Sequence, residues 1–597
     1  MQLESLANEL FLDLFECFNG IDLLRSFHGL NSRFNQLLFI HFYTYRFDLR
    51  SISKSDFDLL CHQYLPSILD RIISLKLSND DETPNLPDLF LSYGFTLNKF
   101  IRLQSLSLYS IQSFNQLNQF IFQCHQLSFL THLYLIDGYK DEDEKKDILF
   151  LFNSIWSLAK LQHLYINYNI PGRTRFTQMR VTSLSIRYLS MENIACTLED
   201  VSYFIKYTPN LQHLNTTIHF NIDDEQMLIQ TLSLSIISLK LTFESSLPVM
   251  LKLFQMMPNL QRLSLKTMDI YLNGTKWRKI LVNYLFHLKI FQLRMYFEFS
   301  QTKTIDEQLE KLRHTFRHPF WIDKHQWFIQ CDCIPFGTYH HGILYTLPYA
   351  FDTYICYDTQ KTKSTCRSKE DKFWTYNDVH SLQYMKYKMN SVDYSQLLPI
   401  KFPNIRSLKL GFPFHDQFYS LFPSLHRLKS VEAILGDNYN TEQLQTLIHL
   451  SPALYSLRFF YSIDLKVSIA QLTSLSIRRL SFITKCSITI AHFNNEECAS
   501  LAYSQLGQQC EILLIKIENR SNIIDLIRTM TKLRSLVVHC KDDTWMDKDA
   551  TAVMKDELIE WLRNSLSTNY LISRDQNETT FVRIWIGDKR NSTIPSY

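Results

Sequence analysis

The sequence predicts an α/β solenoid: strand–helix repeats stacked so that their strands form a parallel sheet along the concave face, preceded by a small all-α unit. Three observations predict it. The first is a recurring apolar-x-x-Leu-x-apolar window, found at Ile72-Leu75-Leu77, Leu103-Leu106-Leu108, Leu130-Leu133-Leu135, Leu161-Leu164-Ile166, Val181-Leu184-Ile186, Leu211-Leu214, Ile236-Leu239-Leu241, Leu260-Leu263-Leu265 and Ile290-Leu293-Met295. After a gap it resumes at Val379-Leu382-Tyr384, Ile405-Leu408-Leu410, Leu425-Leu428, Leu454-Leu457-Phe459, Leu472-Leu475-Ile477, Ile512-Ile515-Ile517 and Leu533-Leu536-Val538. The second is alternation. The third position of each window is polar (Ser74, His132, His163 and Arg262 among them) everywhere except Leu514, which is the period of a half-buried strand and not of a helix. The third is punctuation. Pro209-Asn210, Pro258-Asn259, Pro403-Asn404, Pro423-Ser424 and Pro452-Ala453 precede windows, and several follow helical stripes, so proline ends one helix and launches the next strand.

Taken in order, residues 1–45 come first and carry three short amphipathic helices. Ser5 or Asn8 can cap the first, whose apolar face is Leu10, Leu14 and Phe15; Asp22 can cap a second with Leu23, Leu24 and Phe27 inside; Asn31 can cap a third bearing Phe34, Leu37 and Leu38. Residues 46–295 then hold the first run of repeats. Residues 296–378 lack the pattern and read as an irregular, aromatic-rich insertion, Pro319 to Tyr357, followed by the polar run Asp358 to Lys372. Residues 379–540 resume the repeats, and residues 541–597, with a helix over Val553 to Leu566 and a strand over Phe581 to Ile586, close the exposed end as a cap. Each unit buries its leucines only against its neighbours, so the whole must stack, in the manner of leucine-rich repeats.

The opening stretch resembles an F-box, and followed by leucine repeats the chain is similar to the F-box/leucine-rich-repeat family of ubiquitin-ligase substrate receptors. The matching residues are Leu6 and Glu9 of the opening Leu-Pro-x-Glu, Leu10 and Phe15 of the first helix, Asp22-Leu23-Leu24, and Asn31-Ser32-Arg33-Phe34 where the family often has Cys-Arg and an aromatic. Ala7 stands where the family usually has proline. The resemblance implies that residues 1–45 dock the small adaptor subunit of a cullin-RING ligase through Leu6, Glu9, Leu10, Leu14, Phe15, Asp22, Leu23 and Leu24, while the repeats hold a protein substrate. It also implies a receptor that does no covalent chemistry, raising effective concentration instead. A repeat scaffold without ligase coupling is the alternative.

Composition agrees with the absence of catalysis. Only 12 of the 597 residues are glycine, about 2% against roughly 7% in ordinary domains. No two lie closer than Gly337 and Gly342, so there is no dinucleotide fingerprint, kinase glycine loop or GxSxG elbow. No cofactor is expected. A net charge of +3 argues against nucleic acid as a partner. No apolar run spans a membrane, and the 12 scattered cysteines without a CxxC suit a reduced cytoplasmic or nuclear compartment. Cys331, Cys333, His340, His341, Cys356 and Cys366 invite a metal site, but CxC is poor zinc spacing and the cysteines read as strand core. His132 and His163 read as lateral neighbours in a polar row.

The substrate strip is read from the fifth window positions, which lie outward on the inner curve. Seven are basic and none is acidic: Lys76, Lys240, Arg294, Lys409, Lys429, Arg458 and Lys516. Charge of one sign along one strip points to an acidic or phosphorylated partner.

Overall fold

The computed structural model describes residues 5–18, 20–41, 45–111, 113–139, 145–169, 176, 179–227, 231–301, 304–336, 339–357, 361–366, 375–385, 400–436, 441–460, 471–483, 492–543, 545, 556–576 and 578–587. The acidic residues 141–144 and most of the polar run 358–372 lie outside them. Among the described residues no helix is long and apolar enough to cross a membrane.

The chain is α/β, with strands and helices alternating around two large, mostly parallel sheets. The first sheet runs β1 (Tyr45–Asp48), β2 (Ile72–Ser78), β3 (Ser105–Tyr109), β4 (His132–Tyr139), β5 (His163–Asn169), β6 (Tyr188–Cys196), β7 (His213–His219), β8 (Ser238–Glu244), β9 (Arg262–Thr267) and β10 (Ile290–Glu298) in sequence order. It ends in antiparallel strands: β12 (Tyr339–Leu347) pairs with β10, β11 (Phe328–Phe336) with β12, and β14 (Lys361–Ser364) with β11. The second sheet begins at β13 (Thr353–Tyr357) and continues in parallel through β15 (Ser381–Met385), β16 (Ser407–Phe412), β17 (Ser430–Leu435), β18 (Ser456–Phe460), β19 (Arg479–Ser481), β20 (Ile512–Ile517) and β21 (Ser535–Cys540). It too ends antiparallel, β23 (Phe581–Trp585) on β21 and β22 (Leu571–Arg574) on β23. The aromatic stretch read as irregular is therefore sheet: β11 to β14 close one sheet and open the next.

The leucines at the fourth window position carry the core. Leu75, Leu106, Leu133 and Leu263 are wholly buried, each contributing about 1.5–3 kcal/mol by leaving water. The asparagine of each Pro-Asn joins repeats edge to edge: the side-chain amides of Asn210, Asn259 and Asn404 donate to the carbonyls of Leu184, Leu234 and Asn377, at 2.8, 2.9 and 2.9 Å. These amides satisfy turn carbonyls that no helix or ladder would otherwise reach.

Three helices, α1 (Asn8–Glu16), α2 (Gly20–Phe27) and α3 (Ser32–His41), form the head. α1 starts after Ala7, which has no side-chain oxygen to cap it, and Asn8, already inside the helix, accepts from Arg33 Nε at 2.9 Å. Its inward face is Phe11 and Phe15, and Leu10 points out. Phe11 meets Phe34 edge-on at 5.0 Å and Phe15 packs on Phe27 at 4.9 Å. Asp22 sits in the first turn of α2, which buries Leu23, Leu24 and Phe27 as expected. Asn31 caps α3, accepting from the Phe34 amide at 2.9 Å. The head seats on the array where Gly20 lies against the Phe47 ring; a Cβ there would be 3.6 Å from it, in ordinary contact.

Two joints close the array on itself. At the first, the inner face of β11 and β12 is covered by the start of the second sheet. Asp332 lies buried there and accepts from Tyr345 Oη (2.9 Å), Tyr354 Oη (2.8 Å), Thr362 Oγ1 (2.8 Å) and Gln330 Nε2 (3.1 Å), while Tyr376 Oη donates to Gln330 at 3.2 Å. At the second, the inner face of β23 is covered by residues near the start of the chain. Trp585 packs on Phe57 of α4 (Lys54–Leu59) at 5.6 Å. Arg583, also buried, donates to Asn79 O at 2.8 Å, to Asn79 Oδ1 at 3.1 Å, and to Asp80 O. Beside it Arg479 grips Asp81 (2.7 Å) and Glu82 (3.4 Å), and Arg534 reaches Glu82 at 3.2 Å.

Candidate functional site

The inner sheet face is the surface on which the sequence places a substrate, and lateral pairing fixes what lines it. Residues paired across parallel strands point the same way, so Ser74, Ser105, His132, His163, Tyr188, His213, Ser238 and Arg262 form one row. Two and four residues further on come rows through Lys76, Tyr134, Tyr165 and Lys240, and through Glu192 and Lys266.

Most of the predicted basic residues on this face have acid partners. Lys76 Nζ lies 3.2 Å from Asp48 on the neighbouring strand. Lys240 Nζ is 3.5 Å from Glu192, which also accepts from Tyr165 Oη at 2.8 Å and Asn215 Nδ2 at 2.7 Å. Lys409 and Arg458 flank one carboxylate, Glu432, at 3.5 and 3.1 Å. Exposed pairs of this kind contribute about 0–1 kcal/mol to folding, yet they neutralise the strip.

Two positions differ from the prediction outright. Arg294 is 4% exposed; its guanidinium donates to Thr353 O at 3.0 Å and lies 4.9 Å from the Tyr296 ring, so it belongs to the first joint, out of a substrate's reach. Lys429 precedes β17 in the turn, and the residue that pairs with Lys409 and Arg458 is Glu432. Lys516 lies on β20 beside His539 of β21.

The polar row of histidines is a column of rings. His132 stacks on His163 at 4.2 Å, His163 on Tyr188 at 4.1 Å and Tyr188 on His213 at 4.1 Å, with planes 6°, 13° and 4° apart. Strand spacing near 4.8 Å sets this interval, and the rings lean together to close it. Burial between rings, then the charges of His132 and His213, push the His163 imidazole down from 6.5 to about 4; burial lowers His132 and His213 as well. The folded state thus binds these protons less readily than the unfolded chain. The stability this preference carries is complete above about pH 6.5 and is lost as pH falls towards 4. Denaturant titrations at neutral pH and about pH 4.5 are expected to show a smaller acid loss for His163→Phe, which keeps a ring in the column without a titrating nitrogen.

Cys331 and Cys333 are buried strand residues, and burial holds the Cys331 thiol well above its usual range and raises Cys333 to about 12. Among the described residues no group of three or more His, Cys, Asp and Glu is placed to hold a metal ion. A cavity of about 330 Å³ opens beside the helix Leu198–Tyr207 on the outer side, lined by Glu199, Tyr203, Lys206, Asp223 and Asp224 among others. Asp224 is committed to the helix start, accepting from the Leu198 amide at 3.0 Å.

Of the adaptor-facing residues, Phe15, Leu23 and Leu24 are core, Leu6 and Leu14 half-buried, and Glu9, Leu10 and Asp22 exposed. The side chain of Arg33 explains why its motif matters: besides Asn8 it reaches Leu6 O, and its guanidinium lies 5.5 Å from the Phe11 ring, tying α3 to α1. Sequence reasoning passed over Arg262, counted only as a polar third position, and Lys266, one row beyond the fifth. Pairing between repeats, which windows do not contain, would have found them. No family model matches this chain, and no curated protein matches it in sequence.

Proposed function

We propose that this protein is the substrate-recognition subunit of a cullin-RING ubiquitin ligase, an F-box head followed by leucine-rich repeats, and not itself an enzyme. Residues 1–45 dock the ligase adaptor, and the inner face of the array holds a protein substrate that is acidic or phosphorylated. What carries the reading is the head: a three-helix unit too small for a core of its own, seated on a long array, with large apolar side chains left outside. Leu10 is 52% exposed and Leu30 60%, and Phe18 on the turn after α1 is exposed as well. Apolar residues spared from so small a core form a surface suited to a partner.

Co-expression with the adaptor tests it. Wild-type protein is expected to co-purify with adaptor, and Leu10→Glu to lose it while keeping its fold, since Leu10 is not in the core. Phe122→Glu, at a still more exposed position on a repeat helix, is expected to co-purify like the wild type. A wild-type chain that captures no adaptor removes the ligase reading.

A further inference from the structure

We infer that β9 and its neighbours form a docking strip for an extended acidic segment of the partner, with Arg262 and Lys266 as its two anchors; the proposal rests on the inner face being the substrate surface, as above. Both residues point to that face from one strand, since Arg262 pairs with Ser238 and Lys266 with Thr242 across β8, and with Ile290 and Arg294 across β10. Arg262 is exposed and Lys266 half-buried.

Neither cation forms an ion pair. Among the described residues no carboxylate stands within ion-pair distance of either, whereas Lys76, Lys240, Lys409 and Arg458 on the same face each have one. Of the acids nearby, Glu192 is shared among Tyr165, Asn215 and Lys240, and Asp352 lies 2.8 Å from His380; both attract Lys266 only at longer range. Lys266 instead has the Phe351 ring at 5.6 Å and Arg294 as its lateral neighbour, so two cations sit side by side, neither of them ion-paired. Burial and then the charges of Arg294 and Lys240 make the ammonium of Lys266 easier to lose than usual. An arriving anion offsets the repulsion among these cations.

Spacing selects the occupant. Arg262 and Lys266 are four residues apart on a strand, about 13 Å. An extended segment laid along β9 presents same-side residues i and i+4 at that distance, so two anionic side chains four apart meet the two cations. The floor between them is low and polar, made of Ser264 with Lys240 and Gln292 as lateral neighbours. A rigid folded surface has no reason to match that interval, whereas an unstructured acidic stretch does so by extending.

Fluorescence anisotropy on the full-length protein tests this with three labelled, unstructured peptides of one sequence, bearing two glutamates, two glutamines or two phosphoserines four residues apart. The glutamate peptide is expected to bind at least about tenfold more tightly than the glutamine peptide, and more weakly as salt rises. Arg262→Glu and Lys266→Glu should each weaken it at least about tenfold, and Lys276→Glu, exposed on the helix Gly274–Tyr284, should not. Tighter binding of the phosphoserine peptide assigns the anion as phosphate and equal binding as carboxylate; both support the strip. Equal binding of the glutamate and glutamine peptides, no binding of any, wild-type behaviour of Lys266→Glu, or full displacement by single-stranded DNA overturns it. Adaptor co-purification of the same variants separates the two proposals: peptide captured without adaptor refutes the ligase reading, and adaptor captured without peptide refutes the strip.

Discussion

Replacing Arg583 with methionine is expected to lower the unfolding free energy by about 3–5 kcal/mol, the usual cost of breaking a buried charged network from one side. Arg583 is 1% exposed, and its guanidinium serves the backbone carbonyls of Asn79 and Asp80 at the opposite end of the chain. Methionine fills much of the volume but donates nothing, so both carbonyls stay buried without a donor. The loss should appear as a lower urea midpoint. Limited proteolysis should become faster near residues 79–82, because that loop is held to the last strands by this side chain and its two neighbours, Arg479 and Arg534. Arg528→Met, at an exposed helix position, is expected to stay within about 0.5 kcal/mol of the wild type.

Asp332→Ala is expected to cost a similar amount, about 3–5 kcal/mol, for the converse reason. Here the acceptor is removed and four donors, on Tyr345, Tyr354, Thr362 and Gln330, lose it together. Each stranded donor costs about 1–3 kcal/mol, and the sum falls short of additive because they share one site. Asp332→Asn keeps an acceptor oxygen and should cost about 1–2 kcal/mol. Burial pushes the Asp332 carboxyl upward, so its proton is held more tightly in the folded protein than in the unfolded chain. Its contribution therefore favours folding below the unfolded pKa and weakens as pH rises through the folded one. Equilibrium unfolding of the three proteins at several pH values measures both effects.

Strand identity was legible in the sequence because period-2 alternation is local; register was not, because it is decided between repeats. The segment from Val181 to Met191 contains two overlapping windows. Spacing alone selects Val181-Leu184-Ile186 as the strand, but Ile186-Leu189-Met191 is the one that pairs, Leu189 lying between Leu164 and Leu214. Leu184 is left 69% exposed in the turn. The same ambiguity displaced Leu475, which lies outside β19 and is 84% exposed. Beside β17, β10 and β20 the slips were of two or three residues, and they moved Lys429 into a turn and Arg294 and Lys516 one row along. The basic strip was legible as composition, but Asp48, Glu192 and Glu432 reach it from other strands or other rows. In the head, alternation of Leu and Phe left two faces open for α1. Phe11 won over Leu10 because an edge-on ring contact with Phe34 fills the small core better than a leucine does.

The two joints are of one kind: the tail of each sheet meets the head of the other. In the language of assemblies this is a heterologous contact, which closes only when its rotations add to a full turn. Here two steps close it, and both members belong to one polypeptide, so each finds its complement at an effective concentration that separate chains cannot match. The arrangement is that of a cyclic dimer written into a single chain. Its consequence runs the other way too. A chain whose joints open presents a tail that fits the head of any other copy, so the contacts that close one ring are the same contacts that would link several.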